Sequence, residues 1–243
     1  MAKLISLVTG AASGIGRATA LHLAERGDVV ICTDLPGVEL EQTAQRVGGM
    51  AVAADVSNES QVETLLRAIR TSYPHLDALV HCAGIEEEFV SAEAMTLDTF
   101  ERTMSVNVTG SFLISRAAAQ LMIPQGSGSI VLLGSILSTV AYGRNAAYTA
   151  SKGAVLQLGK ALAIDWAPHG IRVNVVGPGP VATPMSRTTI DDPERGRWLR
   201  ERIPLGRPAE ALEVARVCAF LTGDESSYIT GAYLPVDGGW LAL

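Results

Sequence analysis

Tyr148 and Lys152 stand four residues apart in "YTASK", near the start of the stretch "NAAYTASKGAVLQLGKALAIDW" from Asn145 to Trp166. On a helix that spacing stacks two side chains on one face. Val155, Leu158, Leu162 and Trp166 recur at helical spacing and mark the rest of the stretch for burial. A phenol and an ammonium side by side can exchange and tune protons. They can equally lie at a wet edge, with the lysine snorkelling past the ring. The remainder of the chain has to decide between the two.

A second chemical signal comes early. "TGAASGIG", Thr9 to Gly16, follows the first apolar run and opens a helical pattern. Gly10, Gly14 and Gly16 allow a tight turn that lets backbone approach a phosphate, with Ser13 and Ile15 inside the same turn. The helix that follows aims free N–H groups at that point. The second apolar run ends in "CTDL", and Asp34 lies 18 residues after Gly16, the spacing of an acid that accepts from both hydroxyls of an adenosine ribose. Neither Ser13 nor Leu35 supplies a cation for a 2′-phosphate, so the expected cofactor is NAD rather than NADP.

The elements that must hold these residues alternate along the chain. Strands are expected near 4–9, 28–33, 50–54, 77–82, 128–134, 171–177 and 229–236, and helices over 14–26, 38–47, 58–72, 97–122, 146–167 and 209–221. That alternation means βαβ units, and the strand runs "ISLV", "DVVIC", "DALVHC" and "SIVLL" are apolar throughout, as a parallel sheet covered on both faces requires. One α/β domain over 1–243, a doubly wound parallel sheet of about seven strands, is the simplest organisation. The proline-rich segment between Pro178 and Pro208 is the least regular part and suits a long functional loop with one or two short helices.

Composition narrows the task. Of 243 residues, 48% are hydrophobic, which supplies a sizeable core, and 19 Lys+Arg against 25 Asp+Glu leave a net charge of −6 without a basic block, so nucleic acid is not an expected partner. Cys32, Cys82 and Cys218 lack metal or disulfide spacing and read as buried thiols; His22, His75, His81 and His169 are scattered, so no metal site is expected. "KLISLVTG" is no signal peptide and no apolar run spans a membrane, so a cytoplasmic protein is the expectation.

With these residues in view, the chain resembles the short-chain dehydrogenase/reductase family, in its classical NAD-dependent branch, over essentially its whole length. The resemblance rests on "TGAASGIG", Asp34, "ADV" at Ala54–Val56, "CAG" at Cys82–Gly84, Asn107 in "SVNVTG", Ser135 thirteen residues before Tyr148, "YTASK", and "GPGPVATPM" from Gly177. It implies a Rossmann fold and an enzyme that moves a hydride between NAD(H) and a secondary alcohol or ketone. It implies Tyr148 as general acid/base, with Lys152 lowering its pKa and holding the nicotinamide ribose. Ser135 would stabilise alkoxide charge, and Asn107 would place a water in a proton relay. Asp55 and Val56 would flank the adenine, with Cys82, Ala83 and Gly84 along the adenosine side, and Val181 and Thr183 would grip the cofactor after the Pro178–Gly179 turn. Substrate contacts would come from Leu137, Ser138, Tyr142, Asn145 and Pro180, beside Ser135 and Tyr148, and from the loop around 185–205. Where the family usually has two asparagines, this chain has His81 and Cys82; His81 reads as a strand-end structural residue. "IEEEF", Ile85 to Phe89, borders the cleft, and its charge run reads as a solvated loop.

Two expectations concern motion and assembly. The polar segment "SRTTIDDPERGRWLRER" lacks a continuous apolar face and should not be held by burial alone, so 185–205 is expected to be a mobile lid whose anchors Trp198 and Ile203 turn inward. The family commonly pairs the helices at 97–122 and 146–167, which implies a homotetramer. Phe112, Ala117, Ala118, Ala119 and Leu121 leave the first of these apolar around much of its girth, and Trp240, Leu241 and Leu243 are costly to expose. A catalytically inactive NAD-binding sensor is the rival from another class, which has no physical need for Asn107, Ser135, Tyr148 and Lys152 together. Sugar epimerisation, a second rival, needs a larger C-terminal substrate region.

Overall fold

In a computed structural model, residues 3–87 and 89–242 are described. Glu88 and Leu243 lie outside them, so what the sequence suggests for those two positions is not addressed structurally. Seven strands form one parallel sheet: β1 (Ile5–Thr9), β2 (Val29–Asp34), β3 (Met50–Ala53), β4 (Ala78–His81), β5 (Gly128–Leu133), β6 (Ile171–Pro178) and β7 (Tyr233–Val236). Their spatial order is β3-β2-β1-β4-β5-β6-β7. The order reverses between β1 and β4, and a ligand crevice belongs outside the carboxyl ends of the strands at such a switch point.

The uninterrupted apolar strands are explained by burial on both faces. Leu7, Ile31, Leu79, Ile130, Leu132, Val173 and Val175 join a core on one side. Their neighbours Val8, Val30, Cys32, Val80, Val131, Leu133 and Val176 join a second core on the other. Successive side chains alternate across a strand, so each strand feeds both layers. Burying one such side chain contributes about 1.5–3 kcal/mol.

The first layer is covered by α3 (Glu59–Ser72), α5 (Gly110–Gln125) and α6 (Ala146–Trp166), the second by α1 (Gly14–Arg26), α2 (Val38–Val47) and α9 (Ala211–Thr222). Gly159 lets α6 lie close to the sheet: a Cβ there would sit 2.4 Å from Val175 Cγ2. That close approach fixes the depth at which α6 presents its first turns.

The helix expected over 97–122 is present but carries a π-helical turn within it. It forms α4 (Leu97–Met104), a π-helical turn at Ser105–Thr109 and α5. Inside the turn Asn107 is 1% exposed and its side chain holds Ile85 on both backbone sides, accepting from Ile85 N–H and donating to Ile85 C=O, each at 2.8 Å. The Ser111 hydroxyl donates to the Asn107 carbonyl. Within the turn the backbone is wound more widely than in an α-helix, and such bulges are frequent at functional sites.

The assembly argument changes in part. Ala117, Ala118 and Ala119 are buried within the chain, and Trp240 is 4% exposed. Their apolarity is satisfied without a partner. Phe112 and Ile164, at 40% and 76% exposure on α5 and α6, are not.

The segment after β6 carries two short helices, as expected, and departs from expectation in how it is held. It forms α7 (Arg187–Asp191) and α8 (Pro193–Arg202), and the Asp192 carboxylate caps α8 by accepting from Glu194 N–H and Arg195 N–H at 3.1 and 2.8 Å. Leu199 and Ile203 are buried in a third apolar cluster with Ile136, Leu137 and Trp240. Burial therefore does hold this segment, through two residues spaced one turn apart. Trp198 stays half exposed, packed edge-on against Tyr142 and Trp240.

Candidate active site

A cavity of about 570 Å³ opens beyond the carboxyl ends of β1, β4, β5 and β6. One end is walled by Gly10, Ser13, Gly14, Ile15, Gly16, Asp34, Leu35, Asp55, Val56, Cys82, Ala83 and Gly84. The other is walled by Ser135, Leu137, Tyr142, Tyr148, Lys152, Pro178, Gly179, Pro180, Val181 and Thr183. Asn107 lies behind this wall beside Gly84. Of the proposed substrate residues, Ser138 and Asn145 do not line the cavity.

The glycine turn is built for close approach. Gly10 has φ +66°, a conformation glycine adopts without strain, and a Cβ there would lie 2.8 Å from Ala83 N. A Cβ on Gly16 would meet Gly10 O at 2.1 Å, so α1 begins directly on the turn. Asp34 at the end of β2 is anchored by two backbone amides, accepting from Ala12 N–H at 2.9 Å and Leu35 N–H at 2.8 Å. Arg17 on α1 is directed away, donating to Thr43 Oγ1 at 3.2 Å. Asp55 accepts from the Ser57 N–H and hydroxyl through one oxygen. An open groove with exposed turn amides and a fixed carboxylate fits a dinucleotide. The cavity's second cation is Arg102 of α4, which the sequence does not single out.

At the other end, Ser135 caps a short 3₁₀ turn, Ile136–Ser138. Its Oγ accepts from Leu137 N–H at 3.1 Å, and its carbonyl accepts from the Tyr233 hydroxyl at 2.7 Å. Ser138 returns the bond by accepting from Ser135 N–H, and its hydroxyl donates to the Lys152 carbonyl at 2.8 Å. Ser138 thus ties the serine turn to α6 and points away from the cavity. On α6, Lys152 is 6% exposed, its Nζ donates to Leu133 C=O at 2.8 Å, and Nζ lies 5.4 Å from the Tyr148 ring centre. The Asn107 amide also donates to Ser151 Oγ at 2.9 Å.

"IEEEF" is not a solvated loop where it is described. Glu87 is 9% exposed, and its Oε1 accepts from Tyr148 N–H at 3.0 Å. A carboxylate thereby caps the N-terminus of α6, a favourable place for negative charge. Asn145, the residue at the cap position, makes no side-chain cap bond and instead donates to Glu86 Oε1 at 2.7 Å. Glu86 lines the cavity.

The electrostatics differ from a simple tyrosine–lysine pair. Burial pushes the Tyr148 phenol above its ordinary value, the Glu86 and Glu87 carboxylates push it further, and the Ser135 hydroxyl opposes them. Burial pulls Lys152 down to about 8, with Cys82 and Glu86 opposing. Burial likewise holds His81 down at about 3, neutral, and its Nδ1 shares a 2.7 Å hydrogen bond with Thr9 Oγ1, which in turn accepts from Ala83 N–H. His81 is a structural residue at the strand end. Burial raises the Cys82 and Cys32 thiols to about 12. Among the described residues there is no group of three His, Cys, Asp or Glu that could hold a metal ion, and no helix is long and apolar enough to cross a membrane.

A doubly wound parallel sheet, a glycine turn at its switch point, and a titratable cluster at the far end of one groove define a dinucleotide-dependent oxidoreductase. Comparison with known proteins agrees. A family model described as enoyl-(acyl carrier protein) reductase matches residues 10–241. The chain is similar to 2-(R)-hydroxypropyl-CoM dehydrogenase of Xanthobacter autotrophicus, 39% identical over 98% of this chain and 99% of that one. It is similar to D-threitol dehydrogenase of Mycolicibacterium smegmatis, 36% identical over 97% and 92%. Among solved structures it superimposes on a gluconate 5-dehydrogenase from Burkholderia cenocepacia in complex with NADP and tartrate, with a TM-score of 0.96 and 31% identity over 100% of this chain and 97% of that one. The chain belongs to the short-chain dehydrogenase/reductase family.

Proposed function

We propose that the protein interconverts a secondary alcohol and its ketone with NAD(H), Tyr148 passing the substrate proton. The observation that carries this reading is the convergence of Ser135, Tyr148 and Lys152 in the cavity that also contains the glycine turn and Asp34. A bound nicotinamide supplies the hydride acceptor or donor. In the oxidative direction the carbinol carbon gives up its hydride and the hydroxyl gives its proton to the Tyr148 phenolate. Ser135 Oγ steadies the oxygen while it carries negative charge. Lys152 favours the phenolate and holds the nicotinamide ribose. Asn107 keeps Ile85 and Gly84 in place against Lys152 and orders a relay water. Spectrophotometric turnover of alcohols with NAD tests the reading.

NAD is the proposed cofactor because the Asp34 carboxylate faces the adenosine end of the cavity and would repel a 2′-phosphate. Among similar proteins, the gluconate 5-dehydrogenase is in complex with NADP and a glycerol dehydrogenase of Listeria innocua is named as NAD-dependent. A hydrogen bond to a charged group contributes about 1.5–3 kcal/mol, so Asp34→Ala should weaken NAD about ten- to hundredfold and erase most of the discrimination. Titration of both cofactors against wild type and variant measures it; equal wild-type affinity for the two overturns it.

The protein is proposed to be a cytoplasmic homotetramer, with Phe112 and Ile164 covered where α5 and α6 of two copies meet. Light scattering at micromolar concentration should give four times the chain mass, and a monomer under those conditions refutes it.

A further inference from the structure

The cleft contains a carboxylate that the hydride-transfer chemistry does not use. Glu86 lines the cavity together with Tyr142, Tyr148 and Lys152. One of its oxygens is fixed by Asn145 Nδ2 at 2.7 Å, and the other has no hydrogen-bond partner among the described residues. Asn145 is itself 1% exposed, so it holds the carboxylate from behind.

A second observation marks the same place as made for a polar ligand. Of the buried polar atoms without a partner among the described residues, the Tyr142 hydroxyl belongs to a residue of the cavity wall, while Asn145 Oδ1 and Glu87 Oε2 lie behind the wall. Leaving such atoms unpaired is costly, and hydroxyl-bearing ligands or waters relieve the cost. Tyr142 lines the cavity, and its hydroxyl, buried just beneath the wall, can both donate and accept. Apolar Leu137, Ile190 and Leu199 complete that end.

Charge narrows the ligand. A carboxylate or sulfonate on the substrate would face Glu86 across a partly dehydrated pocket, where like charges repel strongly. An ammonium would face the Lys152 ammonium and the positive ring of an oxidised nicotinamide. The cavity's cations are Lys152 and Arg102 of α4; Arg202 adds no third, because its guanidinium is stacked over the Trp198 and Trp240 rings at 5.7 and 5.3 Å, outside the cavity wall. A neutral hydroxyl suits both ends.

We infer that Glu86 determines substrate class: the cleft takes a neutral polyhydroxy alcohol, whose hydroxyl next to the reacting carbinol donates to the Glu86 carboxylate while the Tyr142 hydroxyl contacts the same or a further oxygen. This rests on the reading of the cleft as an alcohol dehydrogenase site. The D-threitol dehydrogenase relative is named for such a substrate, but the assignment stands on Glu86.

Binding and turnover separate the two claims. The Tyr148→Phe protein saturated with NAD is titrated, by its tryptophan fluorescence, with butan-2-ol, butane-2,3-diol, threitol, 3-hydroxybutyrate and 3-aminobutan-2-ol. The diol and threitol should bind about tenfold or more tighter than the mono-alcohol, and both charged compounds should bind worse than it. Adding Glu86→Gln should bring the diol preference down to a few-fold or less and improve 3-hydroxybutyrate. Equal binding of diol and mono-alcohol, best binding of a charged compound, or an undiminished diol preference in Glu86→Gln each overturns the inference. Wild-type turnover of butan-2-ol at the diol's kcat/KM leaves the dehydrogenase reading intact and removes the inference. Absence of turnover with every alcohol and ketone removes the reading itself.

Discussion

Tyr148→Phe should lower kcat by about 10²- to 10⁴-fold, the usual contribution of a general acid or base, while NAD affinity stays within a few-fold of wild type. The substitution deletes one hydroxyl from a ring that packs near Ile136 and Leu137 in the third apolar cluster, so the fold is retained. The size of the loss follows from the surroundings. In the chain alone, burial and the two carboxylates of Glu86 and Glu87 disfavour the phenolate. The Ser135 hydroxyl, a charged Lys152 and an oxidised nicotinamide favour it, so the wild-type oxidation rate should climb with pH along an ionisation that the phenylalanine variant lacks. Steady-state rates across pH for both proteins check this. A variant that keeps half the wild-type rate removes Tyr148 from the proton step.

Lys152→Met should act in opposite directions on activity and stability. Turnover should fall by roughly the 10²- to 10⁴-fold that loss of acid–base catalysis costs, and NAD should bind more weakly because the ribose loses its partner. Stability near neutral pH should nevertheless rise. Lys152 drops from its ordinary 10.5 to about 8 on folding, because burial penalises the ammonium. Between those values the unfolded chain binds the proton and the folded chain does not, so this residue makes wild-type stability increase with pH from about 8 to 10.5. Below about 8 the folded protein carries the full penalty, about 3 kcal/mol at 1.36 kcal/mol per pH unit. Loss of the Lys152 bond to the Leu133 carbonyl gives back about 1 kcal/mol. Denaturant midpoints at neutral pH should therefore favour the variant by about 2 kcal/mol, with the advantage fading as pH rises through that window. A less stable variant at neutral pH refutes the claim that burial of this charge is what the fold pays for its function.

The amino-acid order by itself determines the chemistry-bearing local features. The apolar strand runs require a sheet covered on both faces, the glycines of "TGAASGIG" require a turn that backbone can approach, and the four-residue step from Tyr148 to Lys152 places both on one side of a helix. These are short-range consequences of side-chain size, periodicity and φ preference, and the strands and helices read from them lie within a few residues of those observed. Tertiary structure alone decides what depends on partners far along the chain. Within the π-helical turn at Ser105–Thr109, the partner of the Asn107 side chain is Ile85, twenty-two residues earlier. The charge run at Glu86 and Glu87 reads as solvated until Glu87 meets the N-terminus of α6, sixty-one residues on. Nothing in the polarity of 187–202 reveals that Leu199 will find Trp240. Ser138 reads as a substrate contact until its hydroxyl is seen bound to the Lys152 carbonyl. The direction of the Tyr148 pKa is of the same kind. A neighbour one turn away on the helix argues for lowering it, whereas burial and two carboxylates delivered by another loop raise it, because solvent exclusion and through-space charge are set by packing and not by spacing along the chain.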